Sequence, residues 1–149
     1  MPRFATTRIV THAPEVMFAL VADIERYPEF VPMCESLVIR RRSEGEGGTT
    51  LIADMAIGYR MIREVFTTRV ELDEPHHAIR VTYVDGPFKH LENRWSFAAR
   101  PDGKTDVRFF IDYEFKSRAF QMLAGAVFEK VFRKMAEAFE ARADALARR

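Results

Sequence analysis

Residues 105–149 read TDVRFFIDYEFKSRAFQMLAGAVFEKVFRKMAEAFEARADALARR, and two periods meet inside them. Val107, Phe109, Ile111, Tyr113 and Phe115 fall on one side of an extended chain, while Asp106, Arg108, Asp112, Glu114 and Lys116 fall on the other. A period of two this regular predicts a strand with one buried and one wet face. From about Ser117 the period changes. Phe120, Leu123, Ala124, Val127, Phe128, Val131, Phe132, Met135, Ala138 and Phe139 recur at spacings of three and four, and no proline interrupts them. This predicts one helix of about 30 residues, roughly 45 Å long. Its apolar stripe is wide enough to face a concave sheet.

Working back from this stretch, the period of two repeats. Leu91, Trp95, Phe97 and Ala99 share a face of the preceding strand, and Ile79, Val81 and Tyr83 give the one before. Ile62, Phe66, Val70 and Leu72 stand opposite Arg63, Arg69 and Glu71; Leu51, Ala53, Met55 and Ile57 share a face of Thr49–Gly58. Ser36–Arg42 reads as another strand, and Gly-rich or Pro-bearing turns separate these runs. Near the start, Phe4–Thr11 is a Thr-rich, β-branched strand. Pro14 at a helix N1 position with Glu15 beside it opens a short helix to about Asp23, expected to pack on two sides. Tyr27-Pro28-Glu29-Phe30-Val31-Pro32 follows as a bent, unusually apolar loop.

No crossover helices separate the strands, so a parallel doubly wound sheet is excluded. The order predicts an α+β fold: a curved antiparallel sheet of about six to seven strands gripping the terminal helix, with short helices after the first strand and residues 1–149 as one domain. A bent sheet and one straight helix cannot close-pack everywhere, so an elongated apolar gap is expected between them. Its expected walls are Met55, Ile57, Phe66, Leu91, Asn93, Trp95, Phe97, Phe109, Ile111 and Tyr113 from strands and Leu123, Val127 and Val131 from the helix. Tyr27, Phe30 and Val31 on the Pro-bounded loop read equally as a lid over the mouth or as packing on the sheet edge.

Composition agrees with this. The chain has 149 residues, 48% apolar, with thirteen Phe against one Trp, which suggests an interior of aromatic walls. Lys+Arg (23) and Asp+Glu (22) nearly cancel, giving a net charge of +1 and no global field that points to DNA. One cysteine, Cys34, excludes an internal disulfide and any multi-Cys metal site, and fits a reducing compartment. The N-terminus lacks a secretory apolar core and no apolar run approaches a membrane span, so a cytoplasmic protein is expected, with any membrane contact peripheral.

Residues that carry chemistry elsewhere read blandly here. His12, His76, His77 and His90 lack metal-ligand spacing and are expected as solvated loop or surface histidines. Cys34 reads as a packed thiol. Asp112 and Glu114 sit beside Arg108 and Lys116 on a wet face, which explains them without acid–base work. Arg40-Arg41-Arg42 could meet phosphate of RNA or of an anionic lipid, or merely end a strand. Asn93, Tyr113 and Arg94 are the candidate hydrogen-bond donors to a ligand head group.

Three segments carry a family resemblance over nearly the whole chain: Tyr27-Pro28-Glu29-Phe30-Val31-Pro32 with Cys34; Gly86-Pro87-Phe88-Lys89-His90-Leu91 with Asn93, Trp95 and Phe97; and Ala138-Phe139-Glu140-Ala141-Arg142-Ala143. Together they resemble the coenzyme-Q-binding branch of the START-type, helix-grip superfamily, which shares the birch-pollen-allergen fold and whose bacterial members include the RatA ribosome-association proteins. Met33 stands where many members have Trp. The resemblance implies ubiquinone or a related isoprenoid lipid as bound ligand in support of respiration, with no catalytic residue or resident cofactor; a ribosome partner is the alternative it carries. It also admits a third reading, an enzyme of the cyclase or dehydratase type, against which the sequence offers no inward-facing acid and base.

Overall fold

The computed structural model describes residues 3–59 and 61–148, and their side chains except those of Tyr59, Ile62 and residues 123–126. Along the chain run β1 (Arg3–Val10), α1 (Pro14–Ala22), a 3-10 turn (Ile24–Glu29), β2 (Cys34–Gly45), β3 (Gly48–Tyr59), β4 (Ile62–Asp73), β5 (Ala78–Asp85), β6 (Phe88–Ala99), β7 (Thr105–Phe115) and α2 (Arg118–Ala147). Among the described residues the strands form one seven-stranded sheet in the order β1-β7-β6-β5-β4-β3-β2, antiparallel at each junction. This is the helix-grip architecture. Each neighbour after β2 follows by a hairpin, while α1 and the 3-10 turn carry the chain from the β1 edge to the β2 edge.

Local chemistry explains the corners. Pro14 occupies the first turn of α1, where its missing N–H costs nothing. At the other corner Ser117 Oγ accepts the Phe120 N–H at 3.1 Å, capping α2, and Gln121 Oε1 accepts the Phe115 N–H at 3.1 Å. The end of β7 is thereby tied to the helix that follows it. Gly86, at φ +142°, needs the absence of a side chain, because a Cβ there would lie 2.6 Å from Phe66 Cβ. Register shifts at Cys34/Ser36, Ile39/Arg41, Thr67/Thr68 and Phe88/His90 bend the sheet around the helix.

The alternation in β7 is realised residue by residue: Val107, Phe109, Ile111, Tyr113 and Phe115 are all buried. Rings from α2 meet them. Phe120 and Phe128 pack on Phe115 at 4.5 and 5.3 Å between centroids, and Phe132 packs on Tyr113 at 5.3 Å. Further along, Phe139 stacks edgewise on Trp95, Tyr27 and Phe30 at 5.1–5.2 Å. The last turns of α2 are also held by polar pairs: Arg8–Glu140 at 2.6 Å and Arg142–Glu29 at 2.7 Å as ion pairs, and the His12 ring against Asp144 at 2.6 Å.

The short helix packs on two sides as expected, against β5 and β6 and against α2, with Met17, Phe18 and Val21 buried and Leu20 and Ala22 partly buried, although Val16 is 49% exposed. One expectation needs correction: His12 is not solvated. Its ring is mostly buried against Asp144, and its carbonyl accepts the hydroxyl of the fully buried Thr105 at 2.6 Å. A side chain just beyond a strand end looked like a loop residue because the helix that covers it is more than a hundred residues away.

Candidate functional site

The backbone of α2 packs against β7, β1 and α1. Opposite β2 to β5 the curved sheet bends away from it, and a cavity of about 120 Å³ lies between. Its floor comes from Ala53, Met55 and Ile57 on β3, Phe66, Thr68 and Val70 on β4, Ile79 and Val81 on β5, Phe88, Leu91, Asn93 and Trp95 on β6, and Ile111 on β7. Phe128, Val131, Phe132 and Met135 of α2 form the roof. Ile24, Tyr27, Pro32, Met33 and Leu37 close one side. The deep wall, Ala53, Val70, Ile79 and Trp95, is buried, whereas Met33, Leu37, Met55, Val131 and Met135 are half-buried and form a rim. Three of those rim residues are methionines, unbranched and readily repacked. A cavity near 150 Å³ admits benzene, so this one has room for about one ring or one isoprene unit.

Two polar side chains interrupt the apolar wall. Asn93 Nδ2 donates to the Phe110 carbonyl at 2.9 Å, and its Oδ1 accepts the Trp95 indole N–H at 3.1 Å. A carbonyl can only accept and an indole N–H can only donate, so the amide orientation is determined, with one N–H and one lone pair left over. Thr68 is 6% exposed as a residue and borders the cavity, and its hydroxyl makes no hydrogen bond among the described residues. Tyr27 also borders the cavity, but its hydroxyl is spent on the Val21 carbonyl, and burial raises its pKa well above the ordinary phenol value.

Of the residues expected on the wall, Tyr27, Met55, Ile57, Phe66, Leu91, Asn93, Trp95, Ile111 and Val131 border the cavity. Others are placed elsewhere. Phe97 is sandwiched between Trp95 and Phe18, and Phe109 between Trp95, Phe4 and Phe132. Tyr113 is packed among Phe88, Phe115, Phe128 and Phe132, where burial pushes its phenol up to about 12. Val31 is buried, Phe30 lies under the Arg142 guanidinium at 5.2 Å, and Val127 is half-buried beside the roof residues. The Leu123 side chain lies outside the described residues. The Pro-bounded loop is therefore divided: Tyr27 and Pro32 border the cavity, while Phe30 and Val31 pack against its surroundings.

The head-group candidates separate likewise. Asn93 faces in. Arg94 is on the outer face, 4.5 Å above the Phe110 ring and 3.4 Å from Glu92, because it is one residue out of phase with Asn93 and Trp95. Sequence reasoning overlooked Thr68, whose type suggested solvent although its parity matched Phe66 and Val70. It also overlooked Phe88, because the irregularity between Phe88 and His90 breaks the count of two backwards from Leu91.

Elsewhere the chemistry is quiet. Cys34 is buried, and burial pushes its thiol up to about 11, the opposite of nucleophile activation. Asp112 is paired with Arg3 and His90, and Glu114 with Lys89, on the outer face. No group of three or more His, Cys, Asp or Glu able to hold a metal occurs among the described residues. No described helix is long and apolar enough to cross a membrane. In the Arg40–Arg42 run, Arg40 pairs with Asp54, whose carboxyl is held below its usual range chiefly by the Thr67 hydroxyl, and Arg42 lies 3.4 Å from Glu44. A depression on the outer face, between Thr7, Arg80, Arg94 and Arg108, is wider than the cavity but open to solvent and bordered by charged groups.

Residues 10–140 match the family described as polyketide cyclase / dehydrase and lipid transport. The ribosome association toxin RatA of Escherichia coli K12 is 32% identical over 143 residues, covering 96% of this chain and 87% of that protein. The mitochondrial coenzyme Q-binding protein COQ10 homolog B of Xenopus laevis is 28% identical over 144 residues, covering 94% of this chain and 57% of that one. Among solved structures, the 18 kDa protein CC1736 of Caulobacter crescentus superposes over 100% of both chains with a TM-score of 0.84 at 33% identity.

Proposed function

The chain belongs to the polyketide cyclase / dehydrase and lipid transport family, and from that membership we propose that it is a non-catalytic carrier or chaperone for ubiquinone or a related isoprenoid lipid, serving respiratory electron transport. The observation that carries this reading is the cavity: apolar walls, a deformable methionine rim and two spare polar groups inside. The coenzyme Q-binding relative supplies the ligand class. Burying one five-carbon isoprene unit is worth up to ~4 kcal/mol at about 0.8 per carbon, and a ring of similar size about as much, so one such group in the cavity leaves a modest affinity after ordering costs. A cavity of about 120 Å³ cannot enclose a long tail, which would leave past Met33, Met55 and Met135. In a bilayer that tail is equally dry, so exchange is nearly balanced and transfer is favoured over storage.

The polar groups on the wall, Thr68, Asn93 and Tyr27, do not titrate near neutral pH, which suits binding better than acid–base turnover. The protein works in the cytoplasm, touching the inner membrane at most peripherally. Organic extraction of freshly purified protein followed by mass spectrometry is the test. Stoichiometric isoprenoid quinone is expected; recovery of no lipid from protein exposed to quinone-bearing membranes overturns the reading. The 32% identity to a ribosome association toxin supports a second reading, binding to the ribosome. That reading expects co-sedimentation with ribosomal subunits, and its loss in Arg41→Glu would assign the contact to the arginine run left partly unpaired on β2.

A further inference from the structure

Thr68 borders the cavity from β4, a residue 6% exposed overall whose hydroxyl makes no hydrogen bond among the described residues and so faces the cavity free to pair with a bound molecule. Asn93 presents the complementary feature, a fixed amide with a free N–H and a free lone pair. Their spacing follows from the register. Val81 pairs with Val70 on one side and with Asn93 on the other, and Thr68 lies two residues from Val70 along β4. Two strand spacings across and two residues along put the backbones of Thr68 and Asn93 roughly 12 Å apart. Both belong to the hollow side of the sheet, where side chains converge, so the polar atoms are on the order of 10 Å apart.

We infer that Thr68 and Asn93 are the two ends of a recognition site for a six-membered ring carrying oxygens at opposite positions, a 1,4-benzoquinone or its quinol. A ring with a carbonyl of 1.23 Å and a hydrogen bond of about 2.8 Å at each end spans roughly 11 Å. That matches the gap, and the cavity volume matches the ring. A second consequence concerns redox state. The threonine hydroxyl and the asparagine amide can each donate or accept, so the site serves the carbonyls of the quinone and the hydroxyls of the quinol alike. Nearly equal affinity for the two forms leaves the midpoint potential of the bound ring close to that of the free one, as linkage requires. A carrier of this kind delivers either form without selecting between them.

This inference rests on the lipid-binding reading, and one experiment separates the two. Trp95 is the single tryptophan of the chain and borders the cavity, so its fluorescence reports occupancy. The protein is titrated with 2-decyl-1,4-benzoquinone, with its quinol, and with phenyldecane, which has the ring and tail but no oxygens. Both oxygenated ligands are expected to bind at least tenfold more tightly than phenyldecane and within about threefold of each other. Thr68→Val, which keeps the shape and removes the hydroxyl, is expected to lower benzoquinone affinity five- to tenfold and leave phenyldecane unchanged; Thr68→Ser restores the preference. Equal binding of all three ligands, or a benzoquinone preference untouched by Thr68→Val, overturns the site while the lipid-binding reading stands. Failure of every ligand to bind overturns both.

Discussion

The two halves of the sheet obey the same alternation and end differently. On the β1–β7–β6 side every inward ring finds another: Phe4, Phe109, Tyr113 and Phe115 meet Phe120, Phe128 and Phe132, and Trp95 meets Phe139. On the β2–β5 side the inward residues are mainly aliphatic, Leu37, Ala53, Met55, Ile57, Val70, Ile79 and Val81, and they face the cavity. Inward-facing apolar residues are thus necessary for both a core and a pocket. What separates the two is whether the partner element has reach: aromatic side chains bridge sheet to helix where the helix lies close, and shorter ones leave a void where the sheet curves away. Packing dominates the first half and the cavity opens over the second, with Phe88, Leu91, Asn93, Trp95 and Ile111 of β6 and β7 along the boundary between them.

That division can be broken at its strongest point first. Phe139→Ala removes a 1% exposed ring that touches Trp95, Tyr27 and Phe30, and is expected to cost about 3–5 kcal/mol in urea unfolding. On the hollow side Val131→Ala should cost less than about 2 kcal/mol, because much of its surface already faces a void. Equal losses at the two positions would mean that the halves are packed alike.

Adding volume sharpens the contrast. Ala53→Leu, pointing into the cavity, is expected to leave stability within about 1 kcal/mol of the parent while lowering affinity for a decyl-benzoquinone at least tenfold. Ala143→Leu, buried at 3% exposure on α2, has no space to fill and should destabilise by about 1–3 kcal/mol. Calorimetry with fluorescence titration reads both.

A gentler probe is pH. Cys34 titrates in the folded protein at about 11 against an ordinary thiol value near 9, so the unfolded chain loses its proton first. Its contribution to stability is whole below about pH 9 and is lost as pH rises toward about 11. Tyr113, pushed up to about 12, extends the decline. Cys34→Ala should flatten the first part of that curve, and the wild-type thiol should react with disulfide reagents at pH 8 far more slowly than a free thiol; rapid labelling at pH 8 would contradict its burial. The smallest effect is expected at the surface: Arg8→Ala, breaking a part-exposed pair with Glu140, should cost about 1 kcal/mol or less and fade with added salt.

Most of the fold was legible because its signals are local. The period of two in β7, the change of period at Ser117 and the absence of crossover segments dictate a sheet gripping a helix, and each is visible within a dozen residues. The site was legible in outline only. Parity assigns a residue to the inner face, as it did for Met55, Ile57, Leu91 and Asn93, but it does not say whether that face is filled there. Phe97, Phe109 and Tyr113 have the same parity as Trp95 and Ile111 and became core because partner rings reach them. Thr68 was passed over because residue type outweighed position, and Phe88 because a one-residue irregularity next to Gly86-Pro87 undoes the count. His12 depended on Asp144, which no window of sequence joins to it.

Met33 has φ +67°, a left-handed backbone held in place where its carbonyl accepts the Gly58 N–H at 2.9 Å. Few residue types tolerate that conformation, and β-branched ones least of all. Anyone redesigning this protein to carry a different cargo therefore has unequal freedom around the opening. Positions 55 and 135 accept a wide palette of side chains, whereas at 33 the backbone narrows the choice before the cargo is considered, with Gly or Asn the cheapest replacements and Val or Ile excluded.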